Sequence, residues 1–455
     1  MPDTIAAIAT ALAPSAIGIL RLSGPDTRDI LDAVFFPING RPMSRQMPRA
    51  MVLGRVLDGE GRILDSALCV LFPAPDSYTG EDCAEIHCHG SPVVLTEGLK
   101  LLFAHGARQA RGGEFTQRAF LNGRMDLMQA EAVVDVIDAE TAQAARNAAG
   151  QLEGVLSRSV QTVYDTLMDV VSRFYAVVDY PDEDIEELQR SQLLDALRQS
   201  EDKLSALLAT YSRGRLMKQG VPTVLLGKPN VGKSSLLNAL VGYDRAIVTD
   251  VAGTTRDTVE EKVRLGGRLL RLCDTAGIRA TADSVERIGV DRAVAAAEQA
   301  SLALVVLDGS APLTGEEERI FALAEKAEHA VLVVNKRDLP QRAALDGLEA
   351  RFPCVCHVCA ATGEGVEQIG RAVRGLYPEE VGAGGVLLTN SRQAEAVTRA
   401  LHAVERAQAA VAADLTPDAV LTDAEEALSA LGELTGKSIR EDLVATIFSR
   451  FCVGK

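Results

Sequence analysis

The chain has 455 residues, room for two to four domains. Its 47 Lys and Arg stand against 63 Asp and Glu, a formal charge of −16, which argues against gripping nucleic acid through general basicity; any RNA contact must be local or delivered by a partner. Eight Cys lack disulfide-framework spacing, residues 1–10 show no basic segment leading into an apolar core, and no uncharged run reaches the ~18 residues of a membrane span, so a cytoplasmic protein with reduced thiols and no membrane association is expected.

Residues 1–120 read as strand-rich α/β. Short apolar runs at 16–22, 50–57, 66–72 and 85–89 are broken by Gly, Pro and Asp, and Ser91-Pro92 supplies a cap and an N1 proline for a helix to residue 103. Glu85, His87 and His89 share one strand face and could line a pocket, but the second, loop-spaced pair of a zinc site is missing. From 126 to 179 Pro nearly disappears and apolar residues recur every 3–4 positions, which predicts long helices of a bundle. A further helix is expected over 191–211, then a basic linker over 212–220.

The run Val224-Leu225-Leu226 next feeds Gly227-Lys228-Pro229-Asn230-Val231-Gly232-Lys233-Ser234-Ser235, a strand, a glycine-bounded loop and a helix start in the P-loop order. Gly227 and Gly232 let backbone N–H groups turn inward toward phosphate oxygens, Lys233 reaches the β- and γ-phosphates, and the Ser234 hydroxyl suits Mg²⁺. Three later stretches select GTP over ATP. Asp274-Thr275-Ala276-Gly277 follows an apolar run and matches the second phosphate motif of a GTPase; Asn335-Lys336-Arg337-Asp338 follows another, and Asp338 can accept the N1–H and exocyclic amine of guanine, where adenine would leave a carboxylate unpaired. Gly253-Thr254-Thr255-Arg256-Asp257 sits at switch I spacing, with Thr255 placed to complete the Mg²⁺ shell.

Ile278 follows Gly277, where a Ras-like protein has a water-orienting Gln. Asn230 offers an oxygen for a monovalent cation that could supply the missing charge, and Glu286 lies where it could orient water. Cys354, Cys356, His357 and Cys359 cannot converge from one strand, so they read as core thiols ahead of Ala360-Ala361, the guanine-supporting loop. Past the loose 379–385, helical pattern resumes at 391–413 and runs on to 451, which suggests one bundle with a GTPase module inserted.

Together with the P-loop and switch I stretches, Thr79-Gly80-Glu81-Asp82, Gly113-Glu114-Phe115-Thr116-Gln117-Arg118-Ala119-Phe120-Leu121-Asn122-Gly123 and the terminal Phe451-Cys452-Val453-Gly454-Lys455 resemble the MnmE (TrmE) family of tRNA-modification GTPases over essentially the whole length. The resemblance implies an N-terminal α/β domain over 1–120 for tetrahydrofolate binding and dimerisation, a helical domain over 121–215 and 381–455, and an inserted Ras-like P-loop G domain over 216–380. It implies K⁺-dependent GTP hydrolysis by a homodimer that works with an FAD-dependent MnmG-type subunit, in a heterotetramer or larger. The pair would add an aminomethyl or carboxymethylaminomethyl group to the wobble uridine of certain tRNAs, using a 5-formyl or methylene tetrahydrofolate.

GTP or GDP would contact Asn230, Val231, Gly232, Lys233, Ser234, Ser235, Thr249, Asp250, Val251, Ala252, Gly253, Thr254, Thr255, Asp274, Thr275, Ala276, Gly277, Asn335, Lys336, Asp338, Cys359, Ala360 and Ala361. Mg²⁺ would sit on Ser234 and Thr255, K⁺ on Asn230, Thr249, Val251 and Thr254, with Glu286 catalytic. Folate would be held by Arg21, Glu81, Arg124 and Lys455, beside Cys452 as a thiol for modification chemistry; Arg124 stands where the family has Lys. The chief alternative is a regulatory GTPase switch of the ribosome-assembly type, but such switches add a small basic RNA-binding domain, and this chain adds an acidic α/β domain and a helical bundle. A membrane scaffold would need a basic amphipathic helix, and none is evident.

Overall fold

A computed structural model describes residues 3–179, 190–243, 261–273, 294, 296–378, 386–437, 447–448 and 451–454. The chain divides into two compact units, Met1–Val134 with Gln151–Asp202 and Ala396–Lys455, and Asp135–Gly150 with Lys203–Glu395.

In the first unit β1 (Ile5–Ile8), β2 (Ser15–Ser23), β3 (Phe35–Pro37), β4 (Val52–Leu57), β5 (Ile63–Phe72), β6 (Cys83–Gly90) and β7 (Arg108–Gln109) form one sheet in the order β3-β4-β5-β6-β2-β1-β7. Neighbours are antiparallel except β1 and β7. The two-residue alternation sends Leu20, Leu22, Cys69, Ile86 and Cys88 to the face covered by helices Thr27–Val34 and Pro92–Ala104. Arg21, Glu85 and His87 take the other face. Ile5-Ala6-Ala7-Ile8 shows no polar alternation because both its faces are covered, Ala6 by the main core and Ile5 and Ala7 by Phe115. Pro92 opens its helix as expected, but the Ser91 side chain makes no capping bond; its backbone N–H donates to the His89 carbonyl instead.

The long helical stretch after residue 126 is three helices, Leu127–Ile137, Ala142–Leu152 and Val155–Asp179. Leu156, Val160, Val163, Leu167 and Val170 form the buried stripe of the last, which packs along helix Pro417–Thr435. The helical pattern expected from 391 onward is likewise broken, ending its first helix at Ala412.

In the second unit β8 (Val221–Leu226), β9 (Glu261–Leu265), β10 (Arg268–Cys273), β11 (Leu302–Asp308), β12 (His329–Asn335) and β13 (Cys354–His357) form a sheet in the order β13-β12-β11-β8-β10-β9. Every neighbour is parallel except β9 on β10. Its central strands are continuous apolar runs because both faces are covered, Leu304, Val306 and Val333 packing with Leu236, Leu240 and Ile369, and Val305, Leu307 and Val334 with Phe321 and Phe352. Residues 212–220 are not a linker: helix Tyr211–Gln219 occupies them. Arg, Leu, Met, Lys and Gln are good helix formers, and Lys218 pairs with Asp135 at 2.7 Å. Their basic composition marks an exposed helix face and not an unstructured join.

Candidate functional site

Strand β8 ends at Leu226, and the loop that follows turns through Asn230 in the left-handed region (φ 63°) and Gly232 (φ 100°) into helix Lys233–Tyr243. Asn tolerates this conformation. Position 232 requires Gly on a second count: a Cβ there would lie 2.2 Å from Asn335 Nδ2. The close approach has a purpose. Asn335, buried at the end of β12, donates from Nδ2 to the Val231 carbonyl at 2.8 Å and accepts the Ala360 N–H on Oδ1 at 2.9 Å. One side chain thus joins the phosphate loop to the base loop.

Lys233 is half-buried and donates to the carbonyls of Gly227 (2.6 Å) and Lys228 (2.7 Å); burial lowers its pKa. Ser234 and Ser235 are exposed in the first helical turn, where the helix favours negative charge. Lys336, also left-handed (φ 64°), pairs with Asp308 at 2.5 Å. Burial opposes ionisation of Asp308, but the hydrogen bonds from Lys336 and Ser310 outweigh it and hold the carboxyl below its usual range. Asp338 is exposed and accepts the Cys359 thiol on Oδ1 at 3.2 Å; Ala361 is exposed beyond it. Residues 230–235, Asn335, Lys336, Asp338 and Cys359–Ala361 therefore gather at the carboxyl ends of β8, β12 and β13, where open α/β sheets take ligands. Thr249, Asp250, Val251, Ala252, Gly253, Thr254, Thr255, Asp274, Thr275, Ala276, Gly277 and Glu286 lie outside the described residues.

The first unit holds a second cluster. Arg21, on β2, donates to Glu85 Oε1 from Nε (3.0 Å) and Nη2 (2.8 Å), and from Nη1 to the Gly454 carbonyl (3.0 Å). Its guanidinium carbon lies 5.9 Å from the Tyr78 ring centre and 5.8 Å from that of Phe115. Glu85 also meets His87 at 3.1 Å. The C-terminal segment is seated here: Val453 bridges Gly112, and the Gly113 N–H donates to the Cys452 carbonyl at 3.2 Å. Cys452 itself is exposed, so it is no core residue. Glu81 accepts from Ser23 and Arg118. Arg124 is exposed, with its stem against Gly80: a Cβ on that glycine would lie 3.3 Å from Arg124 Cγ. Lys455 lies outside the described residues.

Two family models match, "MnmE helical domain" over residues 127–452 and "GTP-binding protein TrmE N-terminus" over residues 4–124. A tRNA modification GTPase MnmE of Heliobacterium modesticaldum is 42% identical over 465 residues, covering 100% of this chain and 99% of that protein. One of Akkermansia muciniphila is 44% identical over 463 residues, covering 99% of each. The chain belongs to the MnmE family of tRNA modification GTPases. Among solved structures, the G domain of the T. maritima FeoB iron transporter is similar over 34% of this chain and 98% of that one, at 24% identity and a TM-score of 0.26.

For a member of the MnmE family, sequence reading missed several neighbours of the expected residues. Arg118 binds Glu81, and its spacing of four from Glu114 on a helix is the sequence signal for its other partner. Glu85 gives its carboxylate to Arg21 and His87, and His89 pairs with Asp65 at 2.7 Å. No helix among the described residues is long and apolar enough to cross a membrane.

Proposed function

We propose that this GTPase hydrolyses GTP in a K⁺-dependent manner and, with an FAD-containing MnmG-type partner, adds an aminomethyl or carboxymethylaminomethyl group to the wobble uridine of certain tRNAs, taking the one-carbon unit from a tetrahydrofolate derivative. The observation that carries the reading is the seat of the C-terminal segment. It puts an exposed thiol, Cys452, two residues from the carbonyl bonded by Arg21, a cation suited to the glutamate tail of a folate. Tyr78, 38% exposed, flanks the same guanidinium with an aromatic face, and the buried Phe115 backs it from the core side. Phe36, Leu53, Ile63 and Leu68 are exposed on β3–β5, an apolar surface that suits a second copy of the chain. The acidic net charge favours delivery of the tRNA by the partner.

The described residues fit the expected ions. Asn230 carries an exposed amide oxygen at the mouth of the phosphate loop, for K⁺, and Ser234 an exposed hydroxyl in the first helical turn, for Mg²⁺. Thr249, Val251 and Thr254 would complete the K⁺ set, and Thr255 the Mg²⁺ set. When bound, these ions offset negative charge on the phosphate oxygens. Lys233 would exchange two loop carbonyls for phosphate oxygens, Asp338 would accept the guanine N–H donors, and Glu286 would orient the attacking water.

The test compares GTP turnover in KCl and NaCl for the wild type and Asn230→Ala. The wild type should be faster in KCl and the variant indifferent; equal wild-type rates would remove the K⁺ reading. Nucleoside analysis of tRNA from a deletion strain carrying wild type or Cys452→Ser checks the modification. Full restoration by the Ser variant would take the thiol out of the chemistry.

A further inference from the structure

The phosphate loop is tied to the rest of its unit by a side chain of its own. Lys228 Nζ donates to Thr314 Oγ1 at 2.8 Å and pairs with Glu316 Oε2 at 2.9 Å and Glu317 Oε1 at 3.2 Å. These partners close the loop between β11 and helix Glu317–Ala324. Glu316 is largely exposed and adds little. The Glu317 side chain is only 8% exposed, and its other oxygen, Oε2, accepts the Thr314 N–H at 2.9 Å and the Thr314 hydroxyl at 3.2 Å. Burial opposes ionisation of Glu317, but the Thr314 N–H and Lys228 outweigh it and hold the carboxyl below its usual range. The carboxylate is therefore a fixed, charged anchor for the ammonium.

The same loop begins on the base-reading half of the site. The Gly309 N–H donates to the Asn335 carbonyl at 2.9 Å, and Asp308 pairs with Lys336. Residues 308–317 thus run as a brace from the guanine motif to the phosphate loop. There they meet a backbone with no slack: Gly227 has φ 155°, and a Cβ on it would lie 2.5 Å from the Val306 carbonyl. The carbonyls of Gly227 and Lys228 in turn accept from Lys233 Nζ at 2.6 and 2.7 Å. Side chain and carbonyl of Lys228 act in series. The anchor fixes the residue, and the carbonyl of that residue sets the place of the ammonium that reaches the β- and γ-phosphates.

We propose that Lys228 and Glu317 are positioning residues for GTP binding: their ion pair holds the entrance of the phosphate loop in its nucleotide-ready shape, so that Lys233 is placed before the nucleotide arrives. A loop held in this way loses less freedom when phosphates enter, and affinity gains by that amount. The benefit falls on the phosphates that Lys233 reaches. GDP should feel it, and GMP, which ends at its α-phosphate, should not.

The test measures GDP and GMP affinity of the full chain by displacement of a fluorescent GDP analogue. Lys228→Met keeps the apolar stem and drops the charge. It should lose three- to tenfold in GDP affinity with GMP within twofold of wild type, and Lys228→Arg should recover most of the loss. Glu317→Gln, nearly isosteric and still able to accept from Thr314, should weaken GDP by a similar factor. The sign of that change is decisive. If Lys228 acted on the phosphates through its own charge, neutralising Glu317 would free that charge and tighten GDP, so tighter binding by Glu317→Gln overturns the positioning role. A GDP-to-GMP affinity ratio in Lys228→Met within twofold of wild type overturns it too, whether both affinities fall together or neither does. Should Glu317→Gln fail to fold, Thr314→Val, which takes the hydroxyl from Lys228 on an exposed residue, replaces it with the same opposed expectations.

Discussion

Replacing Asn335 by Ala tests whether the phosphate loop is pre-shaped by the base-reading half of the site. The change deletes the bond to the Val231 carbonyl at 2.8 Å and the bond from the Ala360 N–H at 2.9 Å, both in buried surroundings. Each orphaned backbone group costs about 1–3 kcal/mol, so the two together cost about 2–6 kcal/mol, large against the ~5–15 kcal/mol stability of an ordinary domain. If about 2 kcal/mol of this falls on the bound state, affinity drops ~30-fold. Titration with a fluorescent GDP analogue reads the affinity, and thermal unfolding with and without GDP reads the stability. Asn335→Asp serves as the control: it keeps the bond from Ala360 but turns a carboxylate toward the Val231 carbonyl, and it should bind no better than the Ala variant. An Ala variant within threefold of wild-type affinity, with unfolding unchanged, would refute the idea that this side chain shapes the loop.

Cys359→Ala removes the thiol donor from Asp338 and should weaken GTP about two- to fivefold, with Cys359→Ser as tight as wild type or tighter; equal affinity of the Ala variant would show that the thiol does not set Asp338. Arg108 and Arg118 hold the Asp3 carboxyl down to about 2, while Glu114, which burial alone would raise, is brought to about 2 by Arg108 and the Arg111 N–H. Both folded pKa values lie below the unfolded ones, so the stability they contribute is present above about pH 4.5 and is lost as pH falls toward 2. For Glu114, a drop from 4.5 to about 2 corresponds to at most about 3 kcal/mol, and Glu114→Gln should flatten the pH dependence of urea unfolding across that window by a comparable amount. An identical slope in the variant would contradict the pairing. Gly454→Ala should release the C-terminal segment, because its φ is 98° and a Cβ would lie 2.6 Å from the Ile8 carbonyl; faster hydrogen exchange at the Gly113 N–H would report this, and unchanged protection would refute it.

The nucleotide half of the protein was legible because its motifs are local. A P-loop needs a strand, two glycines and a helix start within a dozen residues, and β8 and helix Lys233–Tyr243 stand where Val224 to Leu240 require them. The Asn335 bridge was invisible because it links residues 104 positions apart. In the first unit the strand cores showed through alternation, but β1 did not, since a strand covered on both faces loses that period. Helix Tyr211–Gln219 reads as a linker when charge is set above propensity. Gly214 within it leaves room for the Leu388 carbonyl, which passes 2.0 Å from where a Cβ would be.

Arg21 meets the Gly454 carbonyl across a separation of 433 residues. The strands of the β1–β7 sheet and residue 454 are thus far apart in the order of synthesis, and loss of residues 451–454 would take the carbonyl from Arg21 Nη1 while leaving the bonds to Glu85 in place.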